Sequence, residues 1–192
     1  AKESHSVNTI YLDDNNQLIG DNTDIYGIQE GYLKKIITKK NKELNILIIG
    51  AGGVSPSIIV SLQKFGINKI SLVNRTYEKS TILKKQFPKI ELLKWENYKS
   101  KIKYFDIIIN ATSLGLKNGE SFDSFFENFK DTLIYIDTIY NPLETEMIKY
   151  FKENKIKTYN GFDMFIYQGQ KSFNLWNKIT PRISNEVTNL LI

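Results

Sequence analysis

The chain has 192 residues, of which 41% are hydrophobic, and a formal net charge of +5. This length suits one large domain, or one domain and part of another, and the apolar content excludes a disordered chain. Because the sequence contains no cysteine, disulfides and thiolate metal sites are excluded, and we predict no metal centre. No apolar run reaches the roughly 18 residues of a membrane span. We recognise no secretory signal in the printed sequence, and we expect a cytoplasmic protein without a membrane partner.

The positive charge is spread along the chain. Pairs such as Lys34–Lys35 and Lys84–Lys85 fall on the polar faces of predicted helices. A solvated surface that also attracts an anionic ligand explains this charge better than a nucleic-acid-binding surface does. We therefore expect a small-molecule substrate and no nucleic-acid partner.

The first 38 residues predict a β-hairpin followed by a helix. Two apolar runs, 7–12 and 17–19, flank four Asp and Asn residues at 13–16, which favour a turn. A connecting helix is predicted over 25–38.

Short apolar runs alternate with helical patterns from about residue 40 to 160. The predicted strands are 45–49, 69–73, 90–93, 105–109, 133–136 and 157–159. The predicted helices are 54–65, ended by Gly66, then 77–87, ended by Pro88, and 143–153. Two further helices are predicted over 163–178 and 181–192. This alternation predicts an α/β fold of Rossmann type, a doubly wound parallel sheet with helices on both faces.

The strongest local motif is a glycine-rich turn between the first of these strands and the helix that follows it, the context that a dinucleotide-binding fingerprint requires. Gly50 allows the tight turn, and Gly52 lets the backbone approach a pyrophosphate at the helix N-terminus. Ser55 stands in place of the usual third glycine. A purely structural turn is the alternative. The predicted cofactor contacts here are Gly50, Ala51, Gly52, Gly53 and Val54.

The end of the second strand indicates which dinucleotide is bound. NAD-preferring sites place an acidic residue there, whereas this chain has Asn74, Arg75 and Thr76. A guanidinium and a hydroxyl suit a 2′-phosphate, so the sequence favours NADP, with Arg75 as an ordinary surface residue as the alternative. A third polar tip, containing Asn110, Thr112 and Ser113, follows the strand 105–109 and is predicted to pass close to the cofactor, unless it is a simple turn.

Candidates for proton transfer are few. His5 is the only histidine, and nothing in the sequence pairs with it. Asn8, Asp24, Tyr140 and Gln168 belong to polar clusters that by themselves would be interpreted as turn and capping residues. They can converge only if both ends of the chain fold beside the ligand-binding edge of the sheet.

Seven short stretches, in the right order along nearly the whole chain, resemble the shikimate dehydrogenase family. They are residues 7–9; 20–24 with Gly27; 50–53; 74–76; 110–113 with Gly115; Asp137 and 140–142 with Thr145; and 160–161 with Met164, Gln168, Phe173 and Trp176. The resemblance implies reversible reduction of 3-dehydroshikimate to shikimate by hydride transfer from NADPH, a step of chorismate and aromatic amino acid biosynthesis.

The resemblance also implies roles for individual residues. Asp24 would be catalytic, as the partner of a lysine, and would contact the substrate together with Asn8, Tyr140 and Gln168. Residues 74–76 would clamp the adenosine phosphate. Gly161 and Met164 would contact the cofactor. The protein would be a monomer or a homodimer.

The resemblance divides the chain into three parts and shows departures from the family pattern. Residues 1–24 would be the last strands of a substrate domain, 25–160 the connecting helix and NADP-binding domain, and 161–192 helices returning to the substrate domain. The family's catalytic lysine and serine pair lie upstream of the Val7 motif and are not in this sequence, since Lys2 is too close to Asn8. Leu116 stands where the family usually has methionine. We therefore expect little turnover from this chain alone.

Three alternatives remain at the level of sequence. One is a quinate/shikimate dehydrogenase, although Arg75 argues against an NAD-preferring quinate enzyme. Another is a methylene-tetrahydrofolate dehydrogenase, against which the Asp24 and Tyr140 motifs argue. The third is an NADP-binding module without catalysis.

Overall fold

The structure is a computed structural model that describes residues 1–37, 43–117 and 120–191. The chain begins with the predicted hairpin, in which β1 (Thr9–Leu12) pairs antiparallel with β2 (Leu18–Asp21). The Asp13 carboxylate closes the turn by accepting hydrogen bonds from the N–H groups of Asn15 and Gln17, at 2.9 and 2.8 Å.

The predicted connecting helix consists of three consecutive helical segments. They are α1 (Asp24–Ile28), a π-helical turn (Gln29–Leu33) and α2 (Lys34–Ile36). Its buried residues include Ile28, and their burial anchors the helix against the sheet domain. The predicted last residue, 38, lies outside the described residues.

Six strands form one parallel sheet in the order β5-β4-β3-β6-β7-β8. Their bounds are β3 Ile46–Ile49, β4 Ile70–Val73, β5 Glu91–Leu93, β6 Ile107–Asn110, β7 Ile134–Asp137 and β8 Lys157–Tyr159. The chain winds outward from β3 in one direction and from β6 in the other, so the strand order reverses between these two. The predicted doubly wound Rossmann-type fold is confirmed, and ligands of such sheets bind at this reversal point, beyond the carboxyl ends of the strands.

Helices cover both faces of the sheet, which explains why its central strands are apolar throughout. The helices are α3 (Ser55–Lys64), α4 (Tyr77–Gln86), α5 (Glu146–Glu153), α6 (Phe162–Asn177) and α7 (Asn185–Asn189). Ile46 and Ile48 of β3 belong to one apolar core, and Leu47 and Ile49 belong to the other. Alternate side chains of a strand point to opposite faces, so both sets are buried.

Three local features differ from the sequence prediction. A 3₁₀ helix, Lys99–Tyr104, precedes β6 where no element was predicted. Helix α5 begins at Glu146 rather than 143, because the Thr145 hydroxyl caps it by accepting from the N–H of Ile148 at 3.3 Å. The predicted last helix is reduced to α7, capped by Ser184.

Candidate functional site at the carboxyl edge of the sheet

The glycine-rich turn after β3 is held in a conformation that requires glycine at its first position. Gly50 has φ +112°, and a Cβ atom there would lie 2.7 Å from the carbonyl oxygen of Ala111. The Ser55 hydroxyl donates to the Gly50 carbonyl at 2.8 Å. The residue in place of the third glycine therefore stabilises the tight turn.

The other side of the same turn is open. Gly52 and Gly53 are exposed, and a Cβ atom on Gly53 would meet no described atom within 4 Å. No described side chain caps the N-terminus of α3, where Val54 is the N-cap residue. The backbone N–H groups of this helix start can therefore receive an anionic group, as the pyrophosphate prediction requires.

The tip of β4 is tied to the glycine-rich turn by Asn74. Its side-chain oxygen accepts from the N–H of Ala51 at 3.0 Å, and its amide nitrogen donates to the Thr76 carbonyl at 2.8 Å. Arg75 and Thr76 are exposed beside it. Asn74 thus fixes the position from which Arg75 extends.

A cavity of about 300 Å³, which we call the Arg75 cavity, lies between these two loops and the loop after β6. It is lined by Gly50, Ala51, Gly52, Asn74, Arg75, Thr76, Lys79, Trp95, Ala111, Thr112, Ser113 and Leu114. Eight of the eleven predicted cofactor contacts of the first three motifs line it, and the other three, Gly53, Val54 and Asn110, do not. Lys79 and Trp95 were not predicted from the sequence. The signal for Lys79 was its spacing, because it follows Arg75 by four residues at the start of α4.

Asn110 supports this cavity from below rather than lining it. Its side chain is fully buried, accepts from the Thr112 N–H and hydroxyl at 3.0 and 2.7 Å, and donates to the Leu114 carbonyl at 3.2 Å. It also donates to Asp137 at 3.1 Å. Thr112 and Ser113 line the cavity, and Asn110 supports their loop through its bonds to Thr112 and Leu114.

The Asp137 carboxylate is the buried centre of this edge of the sheet. It accepts hydrogen bonds from the Ile139 N–H at 3.1 Å, the Thr145 hydroxyl at 2.9 Å and the Tyr135 hydroxyl at 3.3 Å, besides that of Asn110. Burial raises the pKa of Asp137, and these hydrogen bonds oppose the rise. The network joins β6, β7 and the start of α5 into one support.

A second cavity of about 340 Å³, which we call the Asp24 cavity, brings together residues from both ends of the chain and the sheet. It is lined by Asn8, Asp24, Thr138, Tyr140, Gly161, Met164, Phe165 and Gln168. All four predicted substrate contacts are included, together with the two late cofactor candidates. The sequence indicated that these residues could converge only if both ends of the chain fold beside the ligand-binding edge of the sheet. The structure shows that both ends do so.

Asp24 is half-buried and has one polar side-chain partner in this cavity. The amide nitrogen of Asn8 donates to its carboxylate at 2.9 Å. Burial raises the pKa of Asp24, and the hydrogen bond from Asn8 partly counteracts this effect. Tyr140 lies across the cavity, stacked on Phe165 with ring centroids 4.4 Å apart. The cavity thus combines a carboxylate, two amides and an exposed phenol, which suits a ligand with several hydroxyl groups.

Gly161 is required by packing within the protein. A Cβ atom there would lie 2.1 Å from the Thr138 carbonyl oxygen, and the Gly161 N–H donates to the Ile139 carbonyl at 2.7 Å. The start of α6 therefore lies directly against the loop after β7.

Replacing Gly161 by alanine is expected to lower the free energy of unfolding by about 3 kcal/mol, since backbone atoms must move to admit the methyl group. Denaturant unfolding measures this. The matched control is Gly169→Ala in the same helix, where a Cβ atom would meet no described atom within 4 Å outside the backbone of that helix. It is expected to add about 0.5–1 kcal/mol, because alanine is the better helix former. Equal effects of the two changes would contradict the packing argument.

A larger cavity, about 550 Å³, lies between the segment 121–127 and α5. None of the predicted site residues lines it. Its charged lining residues are Asp123, Glu127 and Glu146, so it does not suit an anionic cofactor. Across residues 1–37, 43–117 and 120–191, no three His, Cys, Asp or Glu side chains are grouped as metal ligands would be. Over those same ranges, no helix has the length and apolar character needed to cross a membrane.

Fold and site together define an α/β domain of the Rossmann class whose ligand-binding edge carries a cationic cavity and a second, polar cavity. A sequence model described as "Shikimate / quinate 5-dehydrogenase" matches residues 32–152. The NADP(+)-dependent shikimate dehydrogenase of Pelagibacter ubique is 47% identical over 191 residues, which are 100% of this chain and 69% of the relative. The chain belongs to the shikimate/quinate 5-dehydrogenase family, which confirms the resemblance found in the sequence.

Solved structures agree with this assignment. A shikimate dehydrogenase in complex with NADP+ matches with a TM-score of 0.84 and 33% identity, covering 99% of this chain and 67% of that one. Shikimate 5-dehydrogenase of Thermus thermophilus, in complex with NADP(H) and shikimate, matches with a TM-score of 0.83 and 25% identity, covering 100% and 70%. The chain spans about two thirds of the length of its relatives, for example 69%, 64% and 62% of three of them.

Proposed function

We propose that the protein is an NADP-dependent shikimate dehydrogenase, an oxidoreductase that interconverts 3-dehydroshikimate and shikimate in aromatic amino acid biosynthesis. The observation that carries the proposal is the Asp24 cavity. Residues from the segment directly before β1, from α1, from the loop after β7 and from α6 converge there beside the ligand-binding edge of a Rossmann sheet. The named relatives and the NADP complex support the same activity.

The residues of the Arg75 cavity fit NADP. Gly52 and Gly53 leave open space against the start of α3, where a pyrophosphate would be held by backbone N–H groups. Arg75 and Lys79 are the two cations of the cavity lining, and a fork-shaped guanidinium beside an ammonium suits a 2′-phosphate. Thr76 supplies a hydroxyl next to them. Ala51, Val54, Thr112 and Ser113 would complete the contacts with the dinucleotide.

We assign a different ligand to each of the two cavities, NADP to the Arg75 cavity and shikimate to the Asp24 cavity. Bound NADP would supply the hydride-transferring nicotinamide. We assign shikimate hydroxyl groups to Asn8, Asp24 and Gln168, and we assign to Tyr140 a position beside the reacting ring. By the family resemblance, Asp24 orients the ammonium that protonates the developing alkoxide. Its partly desolvated carboxylate strengthens such an interaction, since charges attract more strongly in a less polar environment.

We also propose a division of the chain into functional parts. Residues 25–160 form the connecting helix and NADP-binding domain, and residues 1–24 and 161–192 contribute to substrate binding. The contact between the two ends supports this division, because the indole N–H of Trp176 donates to the Ile10 carbonyl at 2.9 Å. Location in the cytoplasm and a monomeric or homodimeric state remain predictions.

Two measurements test the proposal. NADPH fluorescence titration of this chain should show micromolar binding, with NADH at least tenfold weaker. Absence of NADPH binding would contradict the cofactor assignment. Oxidation of shikimate with NADP+, measured by absorbance on the protein expressed from its complete gene, tests the reaction. A higher kcat/KM for quinate than for shikimate would favour the quinate enzyme of the same family, and turnover of neither would leave a binding module.

A further inference from the structure

Three buried hydroxyl groups, which we call the hydroxyl cluster, come from three separate elements. Thr9 lies in β1, Thr23 directly precedes α1, and Ser172 lies in α6. Their Oγ atoms are 2.8 Å apart for Thr9 and Ser172, 3.1 Å for Thr23 and Ser172, and 3.3 Å for Thr9 and Thr23. The three residues are at most 6% exposed, so their hydroxyl groups must be satisfied within the protein.

The hydrogen bonds that leave the cluster reach two residues of the Asp24 cavity. The hydroxyls of Thr9 and Thr23 donate to the side-chain oxygen of Asn8, at 3.0 and 3.1 Å. The Ser172 hydroxyl lies 3.0 Å from the backbone carbonyl of Gln168 in its own helix. The side-chain oxygen of Gln168, at 3.4 Å, is an alternative acceptor for the Thr23 hydroxyl. Over the described ranges, Asn8 and Gln168 are the only residues outside the cluster with which these hydroxyls form hydrogen bonds. Because each hydroxyl has one proton to donate, the bonds form a coupled network.

The backbone N–H of Thr23, a donor only, determines which end of the Asn8 amide faces Asp24, and the hydroxyl cluster adds further hydrogen bonds to that orientation. The Asn8 oxygen accepts from the backbone N–H of Thr23 at 2.8 Å as well as from the two hydroxyls. Its amide nitrogen is thereby turned towards the Asp24 carboxylate, to which it donates at 2.9 Å. A reversed amide would place an oxygen against the carboxylate and a donor against the N–H of Thr23.

We propose that the hydroxyl cluster is a positioning device for the substrate site, in which Thr9 and Ser172 help to hold Asn8 in register with Asp24. Thr9 and Ser172 do not line the cavity, and they act only through the residues that do. The inference rests on the proposed roles of Asn8, Asp24 and Gln168 in shikimate binding.

The ionisation of Asp24 gives a readout that does not require turnover. Burial raises its pKa, and the donor from Asn8 is the opposing influence. Tyr140 is the other titratable group lining the same cavity. Two neutral amides line it as well: Asn8, directly before β1, and Gln168, in α6. Loosening Asn8 therefore raises the pKa of Asp24 further.

The test compares folded variants of this chain by NMR. Thr9→Val keeps the shape of a buried, β-branched strand residue, and Ser172→Ala suits a helix interior. In the double variant we expect the pKa of Asp24, from the carboxyl carbon shift, to lie above that of the parent chain. We expect the Asn8 side-chain N–H₂ protons to exchange with water at least tenfold faster. The single variant Thr9→Ser keeps the hydroxyl, so we expect it to have the Asp24 pKa and the Asn8 exchange rate of the parent chain.

The matched control is Ser61→Ala in α3. Ser61 is also a fully buried helical serine, but its hydroxyl donates to the Ile25 carbonyl at 3.3 Å, outside the cluster. Unchanged Asp24 pKa and Asn8 exchange in the double variant would overturn the proposal, and so would equal changes in Ser61→Ala. Should the double variant fail to fold, Thr9→Val alone gives the same comparison.

Shikimate affinity separates this proposal from the proposed function. Where the parent binds shikimate, the double variant is expected to bind it about tenfold more weakly, whereas Ser61→Ala stays within twofold. Undiminished shikimate affinity in the double variant would count against the positioning role. If the protein expressed from its complete gene binds NADPH but not shikimate, while this chain shows the NMR changes, the substrate assignment is contradicted and the hydroxyl cluster is still supported as a group that holds Asn8.

Discussion

Replacing Arg75 and Lys79 together by alanine is expected to weaken NADPH binding about a hundredfold and to leave NADH binding within twofold. Both side chains line the Arg75 cavity. Each charge-assisted hydrogen bond to a phosphate contributes on the order of 1.5–3 kcal/mol. One such bond therefore corresponds to roughly a tenfold to hundredfold change in affinity. Because NADH has no 2′-phosphate, the change should fall almost entirely on NADPH.

The control for this experiment must remove the same charge from elsewhere. Lys85→Ala with Lys89→Ala removes two cations that are exposed outside the Arg75 cavity. Fluorescence titration at two salt concentrations separates a general field effect from direct contact, since salt screens the former more strongly. Equal losses for NADPH and NADH would place the two cations at the pyrophosphate instead. A loss no greater than in the control would remove them from the cofactor site.

Asp24→Asn is expected to reduce kcat for NADP-linked shikimate oxidation by a factor of about 10²–10⁴, the range that a positioned proton-transfer group contributes. The amide keeps the size of the side chain but cannot orient an ammonium by charge. NADPH affinity should stay within twofold, because Asp24 does not line the Arg75 cavity. Steady-state kinetics on the protein expressed from its complete gene measure this, with Asp163→Asn, an exposed carboxylate outside both cavities, as the control.

Although Asp24→Asn should lower activity, we expect it to raise the free energy of unfolding relative to the parent chain as the pH rises. Burial raises the pKa of Asp24 above its ordinary 3.8, so the folded state binds the proton more tightly than the unfolded state does. The contribution of Asp24 to the free energy of unfolding therefore falls as pH rises from about 3.8 through the raised pKa. Asp24→Asn removes this loss. Its stability relative to the parent chain should increase between pH 3 and pH 7, and a decrease over that interval would contradict the assignment.

The fold was predictable because its signals are local. The four apolar residues of β3, the glycine turn and the following helix lie within about twenty consecutive residues, and their hydrophobic periods differ between strand and helix. The same is true of Arg75, which occupies a strand tip defined by its immediate neighbours. Element boundaries were less accurate where a single cap decides them, as Thr145 does for α5.

The sites depended on contacts that sequence patterns do not contain. The sequence predicted Asn110 at a polar tip close to the cofactor, but its side chain is fully buried and bonds backbone groups of the following loop and Asp137. Lys79 and Trp95 enter the Arg75 cavity only through the relative placement of α4 and the segment after β5. The four-residue spacing from Arg75 could have indicated Lys79, but no local rule indicates that Trp95 faces the cleft.

By itself, the sequence determined a Rossmann-type sheet, a glycine turn suited to a dinucleotide and a guanidinium where a 2′-phosphate would lie, because neighbouring residues in the chain set strand, turn and helix. Only the tertiary structure decided that Asn8 and Asp24 share one cavity with Gln168. The hydrogen bond next to this cavity, between the hydroxyls of Thr9 and Ser172, joins residues 163 positions apart. Such a contact exists only once the whole sheet and its helices have packed, since packing alone brings the two ends of the chain together.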